Sequence, residues 1–152
     1  MASETQGGCG CPPTGAPVPS TGGVHHVFLA VKELARSRPF YAALMPRLGY
    51  PGTTDEGGPV VGWWGAGGSF WLKQADPRYA DATFSKDRVG LCEVAFRAES
   101  RAQVDALARD VAGWGGTILD PPCEYPEYVP GYYAVFFADP DGIKLELVHI
   151  PG

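Results

Sequence analysis

Hydrophobic and polar residues alternate from Val24 to Val31, with the period of two that is typical of a β-strand. His26, Phe28 and Ala30 share one face of this predicted strand, and the intervening apolar residues share the other. A helix is predicted next, from apolar residues at helical spacing: Tyr41, Leu44, Met45 and Leu48. Two short apolar runs, 60–64 and 69–74, then predict a β-hairpin.

The second half of the chain repeats this order. Residues 91–98 predict a strand, and Ser100 with Gln103 forms a capping box that begins a helix. Two later apolar runs, 132–138 and 143–150, flank an Asp-Pro-Asp-Gly turn. Residues 26–31 also align with 93–98. The sequence therefore predicts an α+β fold of two tandem βαβββ modules, 23–85 and 86–152, whose mixed sheets curve around a central cavity.

Residues 1–22 are rich in Gly, Pro, Ser and Thr and carry almost no large apolar side chain. Such a segment cannot bury enough surface to offset its ordering entropy, so we predict a disordered tail before a single domain over 23–152. The tail contains Cys9 and Cys11. Because their spacing differs from that of the usual metal and redox motifs and no second pair accompanies them, we predict no site there.

Composition narrows the class of protein. The 152 residues are 45% hydrophobic, and 12 basic against 17 acidic residues give a formal net charge of −5. No basic stripe interleaves with aromatic residues, so neither nucleic acid nor an anionic membrane surface is an expected partner. Four cysteines do not form a disulfide framework for a domain of this size, which favours a reducing, cytoplasmic setting. The expected partner is a small-molecule substrate.

Three polar residues lie on strand faces that are otherwise apolar: His26, Glu93 and Glu146. If the alternate residues on each strand pack under the helices, these three side chains point into the cavity. One imidazole and two carboxylates are plausible ligands for a divalent metal. The alternative leaves His26 as a core histidine, with Glu93 paired to Arg97 and Glu146 paired to Lys144 on the same faces of their strands.

Aromatic residues form two further clusters, which line a pocket or fill a core. The tyrosine cluster lies around Pro126, Pro130 and Gly131, and it supplies Tyr128 and Tyr132 as candidate pocket residues. A phenol there can also donate or accept a proton, and we assign Tyr133 as the candidate. The other cluster contains Trp63, Trp64, Phe70 and Trp71, of which we expect at least half in the core. We assign Phe28 and Trp64 to the pocket.

These residues resemble a known family. The run 26–31, with Leu34, Ser37, Phe40-Tyr41 and Leu48-Gly49-Tyr50, looks like the opening of a glyoxalase/bleomycin-resistance domain. The run 131–133, followed by 137–142 and Leu145-Glu146, looks like its ending. The resemblance is to the vicinal oxygen chelate superfamily, which also includes extradiol dioxygenases, and it covers nearly everything after the tail.

The resemblance implies a divalent metal (Zn, Ni, Mn or Fe), held by His26 and Glu146, with Glu93 where a second histidine is usual. It also places Leu72 or Gln74 of the first module on the pocket face. We therefore expect a metal-dependent lyase or isomerase in which Glu93 or Glu146 moves a proton while the other holds the metal. The alternatives are an Fe(II)-dependent oxygenase and a metal-free protein that binds a drug or metabolite. Relatives of this type also lead us to expect a homodimer, with ligands from one or both chains.

Overall fold

The computed structural model describes residues 23–152, and predictions about the tail and its cysteines lie outside this range. The first half contains one helix and four strands: β1 (His26–Val31), α1 (Leu34–Arg47), β2 (Gly52–Thr53), β3 (Val60–Gly65) and β4 (Gly68–Gln74). The second half repeats the order: β5 (Val94–Arg97), α2 (Arg101–Asp110), β6 (Thr117–Glu124), β7 (Tyr133–Ala138) and β8 (Lys144–His149). Two short 3₁₀ helices cover Pro77–Tyr79 and Val111–Trp114.

The strands form two mixed four-stranded sheets of equivalent topology. Their orders are β1-β4-β3-β2 and β5-β8-β7-β6, and in each sheet the first and last strands of the module pair in parallel. The predicted α+β fold with two βαβββ modules is therefore confirmed. Among the described residues, no helix is both long and apolar enough to cross a membrane.

Both modules contribute to one hydrophobic core. Leu29 and Leu72 of the first sheet, Phe96 and Leu147 of the second, and the apolar side of α1 belong to the same buried cluster. Because side chains alternate along a strand, the opposite face of each sheet points away from this core. Two outward sheet faces result, and they carry the candidate site residues.

Register assigns the residues of each outward face, because directly paired residues lie on the same side of a sheet. We call the outward side of the first sheet face A. Its paired residues are His26 with Ser69, Phe28 with Trp71, Ala30 with Lys73, and Val60, Gly62 and Trp64 on β3. We call the outward side of the second sheet face B. It includes Ala95, Glu146 and Phe136 as one row, with Val148, Ala134 and Arg97 as the next.

The β7–β8 turn connects the second module to the first through hydrogen bonds. Asp139 accepts hydrogen bonds from the backbone N–H groups of Asp141 and Ile143, which close the turn. It also accepts a hydrogen bond of 2.9 Å from the buried Tyr41 hydroxyl on α1. Burial raises the pKa of the Asp139 carboxyl to about 6, although the three hydrogen bonds act in the opposite direction. The turn residue is therefore a titratable group inside the core.

Candidate functional site

Face A is an exposed aromatic surface. Phe28 and Trp71 contact each other edge to face, with ring centroids 6.4 Å apart, and Trp64 lies on the neighbouring strand. Phe28 remains 47% exposed and Trp64 43% exposed. Large apolar groups that stay this accessible on one side of a sheet mark a surface for a ligand or a partner. The predicted pocket residues Phe28 and Trp64 thus lie on one surface.

Two glycines lie directly beneath the indole rings of face A. A Cβ atom on Gly62 would lie 2.3 Å from the Trp71 ring, and one on Gly52 would lie 2.2 Å from the Trp64 indole nitrogen. Both rings therefore occupy space that any other residue would fill with its side chain. Gly62 and Gly52 allow the indoles to lie close against the sheet.

His26 lies at one end of face A. Its Nδ1 atom is 3.0 Å from the Nδ1 atom of His25, which requires that one ring donates a proton and the other accepts it. The two histidines line a depression of about 410 Å³ together with Phe28, Val60, Ser69 and Trp71. None of Glu93, Glu146 and Tyr132 lines this depression, so His26 lies apart from the two predicted carboxylates.

Glu146 is the buried carboxylate of face B. The residue is only 2% exposed and accepts a short hydrogen bond from the hydroxyl of Tyr132. Burial raises the pKa of the Glu146 carboxyl and the nearby Glu93 raises it further, whereas Tyr132 and the charge of Lys144 lower it. A desolvated carboxyl with a fixed phenol donor is suited to holding or accepting a proton.

Glu93 lies beside this pair and is bound by a lysine. Its Oε2 atom is 2.7 Å from the Nζ atom of Lys144, and the same ammonium lies 4.2 Å from the centroid of the Phe136 ring. The pairing is across strands, because Glu93 immediately precedes β5 and Lys144 begins the adjacent β8. Glu93 therefore pairs with Lys144 rather than with Arg97, and Glu146 bonds to Tyr132 rather than to Lys144.

Four aromatic rings form a wall next to Glu146. Tyr125 stacks on Tyr128 with centroids 5.8 Å apart, and Tyr132 contacts both of them edge to face. Tyr125 also contacts Phe136, which neighbours Glu146 across the β7–β8 pair. The two tyrosines assigned to the pocket, Tyr128 and Tyr132, thus border the buried carboxylate.

Three predicted site residues lie elsewhere. Tyr133 points to the helix side of its sheet, where its hydroxyl donates to Asp105 on α2 at 2.7 Å, so Tyr132 is the phenol at Glu146. Leu72 is fully buried in the core. The Gln74 amide group bonds to the Leu34 N–H and the Lys32 carbonyl, where it supports the start of α1. Register places Trp71 and Lys73 on face A instead.

The predicted metal ligands divide between the two faces of one chain. His26 lies on face A, whereas Glu93 and Glu146 lie together at face B. Across residues 23–152, no group of three His, Cys, Asp or Glu side chains is arranged to hold a metal ion. Nitrogen and oxygen donors of these types suit a divalent metal, but the three side chains do not converge within the part of the chain that the structure describes.

Comparison with known proteins identifies the fold family. The family model described as the Glyoxalase/Bleomycin resistance protein/Dioxygenase superfamily matches residues 23–147. The chain is 34% identical to the uncharacterized protein YqjT of Bacillus subtilis (strain 168), over 82% of this chain and 97% of that protein.

Solved structures agree with this match. A Bacillus halodurans protein assigned as a glyoxalase is 31% identical, with a TM-score of 0.72 over 86% of this chain and 97% of that one. A glyoxalase/bleomycin resistance protein from Albidiferax ferrireducens T118 is 28% identical, with a TM-score of 0.66 over 84% and 98% of the two chains. The chain, with its two βαβββ modules, therefore belongs to the Glyoxalase/Bleomycin resistance protein/Dioxygenase superfamily.

Proposed function

We propose that this protein is a metal-dependent small-molecule enzyme of the lyase or isomerase type, active as a homodimer. The observation that carries the proposal is Glu146, a carboxylate that is 2% exposed on a sheet face turned away from the core. A buried carboxylate is costly unless it is paired or functional, and its partner Tyr132 is neutral. The residue therefore has the environment expected of a proton-transfer group or a ligand.

Assembly of two chains is part of the proposal. Face A exposes Phe28, Trp64 and Val60, and burying such groups against a second chain would stabilise a two-fold dimer. A dimer that places face A opposite the partner's face B would bring His26 to the two carboxylates. The expected small-molecule substrate would then lie between face A of one chain and the four aromatic rings next to Glu146 of the other.

The residues have distinct roles in this scheme. His26, Glu93 and Glu146 would hold a divalent metal, which when bound supplies Lewis-acid stabilisation of a developing oxyanion. Tyr132 orients the Glu146 carboxylate, and burial raises the pKa of that carboxyl, which makes the carboxylate a stronger proton acceptor. Lys144 forms an ion pair with Glu93 in the metal-free chain, and a bound metal would compete with the lysine for that carboxylate. The aromatic rings exclude water from the reacting atoms.

Metal analysis tests the proposal directly. The full chain, purified without chelator, is expected to contain about one divalent metal per chain, as measured by inductively coupled plasma mass spectrometry. Glu146→Gln keeps the shape of the side chain but removes its charge, so metal affinity should fall by more than about tenfold. Glu99→Gln alters an exposed carboxylate outside the site and should leave metal content unchanged. Full occupancy in Glu146→Gln would overturn the ligand assignment.

A metal-free binding protein is the second candidate, and the ion pair between Lys144 and Glu93 favours it. The Lys144 ammonium, 2.7 Å from Glu93 Oε2, already compensates the charge of that carboxylate without a metal ion. If this candidate is correct, added Zn²⁺, Ni²⁺, Mn²⁺ and Fe²⁺ leave the melting temperature unchanged, whereas specific binding to the folded state would raise it. Selective binding of iron together with dioxygen uptake would instead favour an Fe(II)-dependent oxygenase.

A further inference from the structure

A second cavity lies away from Glu146 and the histidines. It has a volume of about 370 Å³, within the range of roughly 300–1,000 Å³ that is usual for small-molecule pockets. It lies between the ends of β1 and β4, the segment that follows β4, and the β7–β8 turn. The lining is mainly apolar, from Ala30, Ala75, Ala82, Phe84 and Ile143. None of His26, Glu93 and Glu146 contributes to it.

The charged residues of this cavity are unequally compensated. Its two aspartates are each paired: Asp141 binds the Arg36 guanidinium, and Asp76 binds that of Arg78 at 3.0 Å. Its two lysines, Lys32 and Lys73, have no carboxylate within 4.0 Å among residues 23–152. The Lys73 ammonium lies 6.0 Å from the centroid of the Phe28 ring. The cavity therefore combines an apolar wall with two positive charges that lack a carboxylate counterion.

From this combination we infer that the cavity is a binding site for a small organic anion, with a carboxylate head between Lys32 and Lys73 and an apolar body against Phe84 and Ile143. An ammonium group gains most from an anion where neighbouring apolar walls exclude water. The apolar lining in turn favours a carbon skeleton over a free inorganic ion. Ala30 and Lys73 also belong to face A, so the cavity adjoins the surface of the proposed dimer. The inference does not require Glu146, Glu93 or a metal.

The cavity lies where the β7–β8 turn of the second module contacts the first module. Asp141, which lines the cavity, accepts a hydrogen bond from the backbone N–H of Lys32 and pairs with Arg36 on α1. The cavity thus lies at the contact between the first module and the turn of the second. A bound anion is expected to stabilise this contact, because it interacts with lysines that the fold itself leaves uncompensated.

Calorimetric titration with 4-phenylbutanoate tests the inference, and the neutral 4-phenylbutan-1-ol serves as the matched ligand. The full-length protein is expected to bind the carboxylate at least tenfold more tightly than the alcohol. The double variant Lys32→Gln/Lys73→Gln should lose at least tenfold in affinity for the carboxylate. Lys86→Gln, at an exposed lysine paired with Asp87, should bind like the unmodified protein.

A steric variant separates this cavity from the exposed indole of face A. Ala82→Trp places a large ring in the cavity at an exposed position and should abolish binding of 4-phenylbutanoate. Trp64→Ala alters the aromatic surface of face A and should leave that binding intact. Equal binding of the acid and the alcohol, undiminished binding by the double lysine variant or by Ala82→Trp, or no binding at millimolar concentration would each overturn the inference.

Discussion

The Tyr132 hydroxyl donates a hydrogen bond to the Glu146 carboxylate, and it is the only phenol among residues 23–152 that the structure bonds to this residue. The next residue, Tyr133, donates to Asp105 on the other side of the same sheet. Two adjacent tyrosines of identical chemistry are thus directed to opposite faces by the alternation of the strand. One borders the candidate site and the other supports α2.

This contrast yields a matched pair of substitutions. Tyr132→Phe removes a hydrogen bond that lowers the pKa of Glu146, so the pKa of that carboxyl should rise further. Tyr133→Phe should leave the pKa of Glu146 unchanged, although it leaves Asp105 without its phenol donor. Carboxyl-carbon NMR titration of both variants provides the measurement. An equal response to the two substitutions would contradict the placement of Tyr132 at the site.

Stability should depend on pH through Asp139. Its pKa is about 6 in the folded protein, against the 3.8 that is usual for an aspartate, so the folded state binds the proton more tightly. The resulting stabilisation is complete below the unfolded pKa and is lost as pH rises through about 6. The change is on the order of 3 kcal/mol for a shift of about two pH units.

Urea unfolding between pH 4 and pH 7 measures this dependence. Asp139→Asn should remove most of the fall in unfolding free energy over that interval, because the amide does not titrate. Glu146, whose pKa is also raised by burial, contributes a fall of the same sign. The exposed Asp87→Asn serves as the control and should retain the full dependence. An unchanged pH profile in Asp139→Asn would exclude Asp139 as the source.

The proposed dimer depends on face A, and a charge placed there should disrupt it. The unmodified protein should have about twice the 16.2 kDa mass of one chain in light scattering. Phe28→Glu introduces a carboxylate at a residue that is 47% exposed and should produce monomers at micromolar concentration. Val89→Glu alters an exposed apolar residue outside both sheets and should remain dimeric. A monomeric unmodified protein would refute the assembly.

Glycine substitutions test the aromatic surface itself. Gly62→Ala would bring a methyl group into the Trp71 ring, so the ring must shift and Trp fluorescence should change with a loss of stability. Gly113→Ala meets nothing within 4 Å and should preserve both properties. Unchanged fluorescence and stability in Gly62→Ala would show that Trp71 does not lie over this glycine.

The repeated strand and helix pattern was sufficient to predict the fold, because alternation determines which residues enter a core. The residues that alternate with His26 and Glu93 were expected to face the helices, and the neighbours of these two, Val27 and Val94, both pack against the hydrophobic core. β6 was not predicted, since Pro121 and Pro122 interrupt its apolar pattern. An edge strand tolerates prolines, and β6 pairs only with β7, with shifts in register on either side of Asp120.

The site was predicted less completely, because its details depend on pairing between strands. The run Phe70-Trp71-Leu72 is apolar at every position, so its phase gave no indication of which residues face outward. Pairing of Trp71 with Phe28 determines that phase, and it places Leu72 in the core. Likewise, the lysine that binds Glu93 comes from the adjacent strand, where no local sequence pattern points to it.

The indole rings over Gly52 and Gly62 have a consequence for how this surface can diversify. Gly52 and Gly62 determine how close the two indole rings lie to the sheet, and therefore how deep the surface of face A is. A ligand on that surface need not contact either glycine. A single added methyl beneath a ring would make the space shallower, while every contacting residue kept its identity. If face A binds the proposed substrate, the preference for that substrate can change through residues that never contact it.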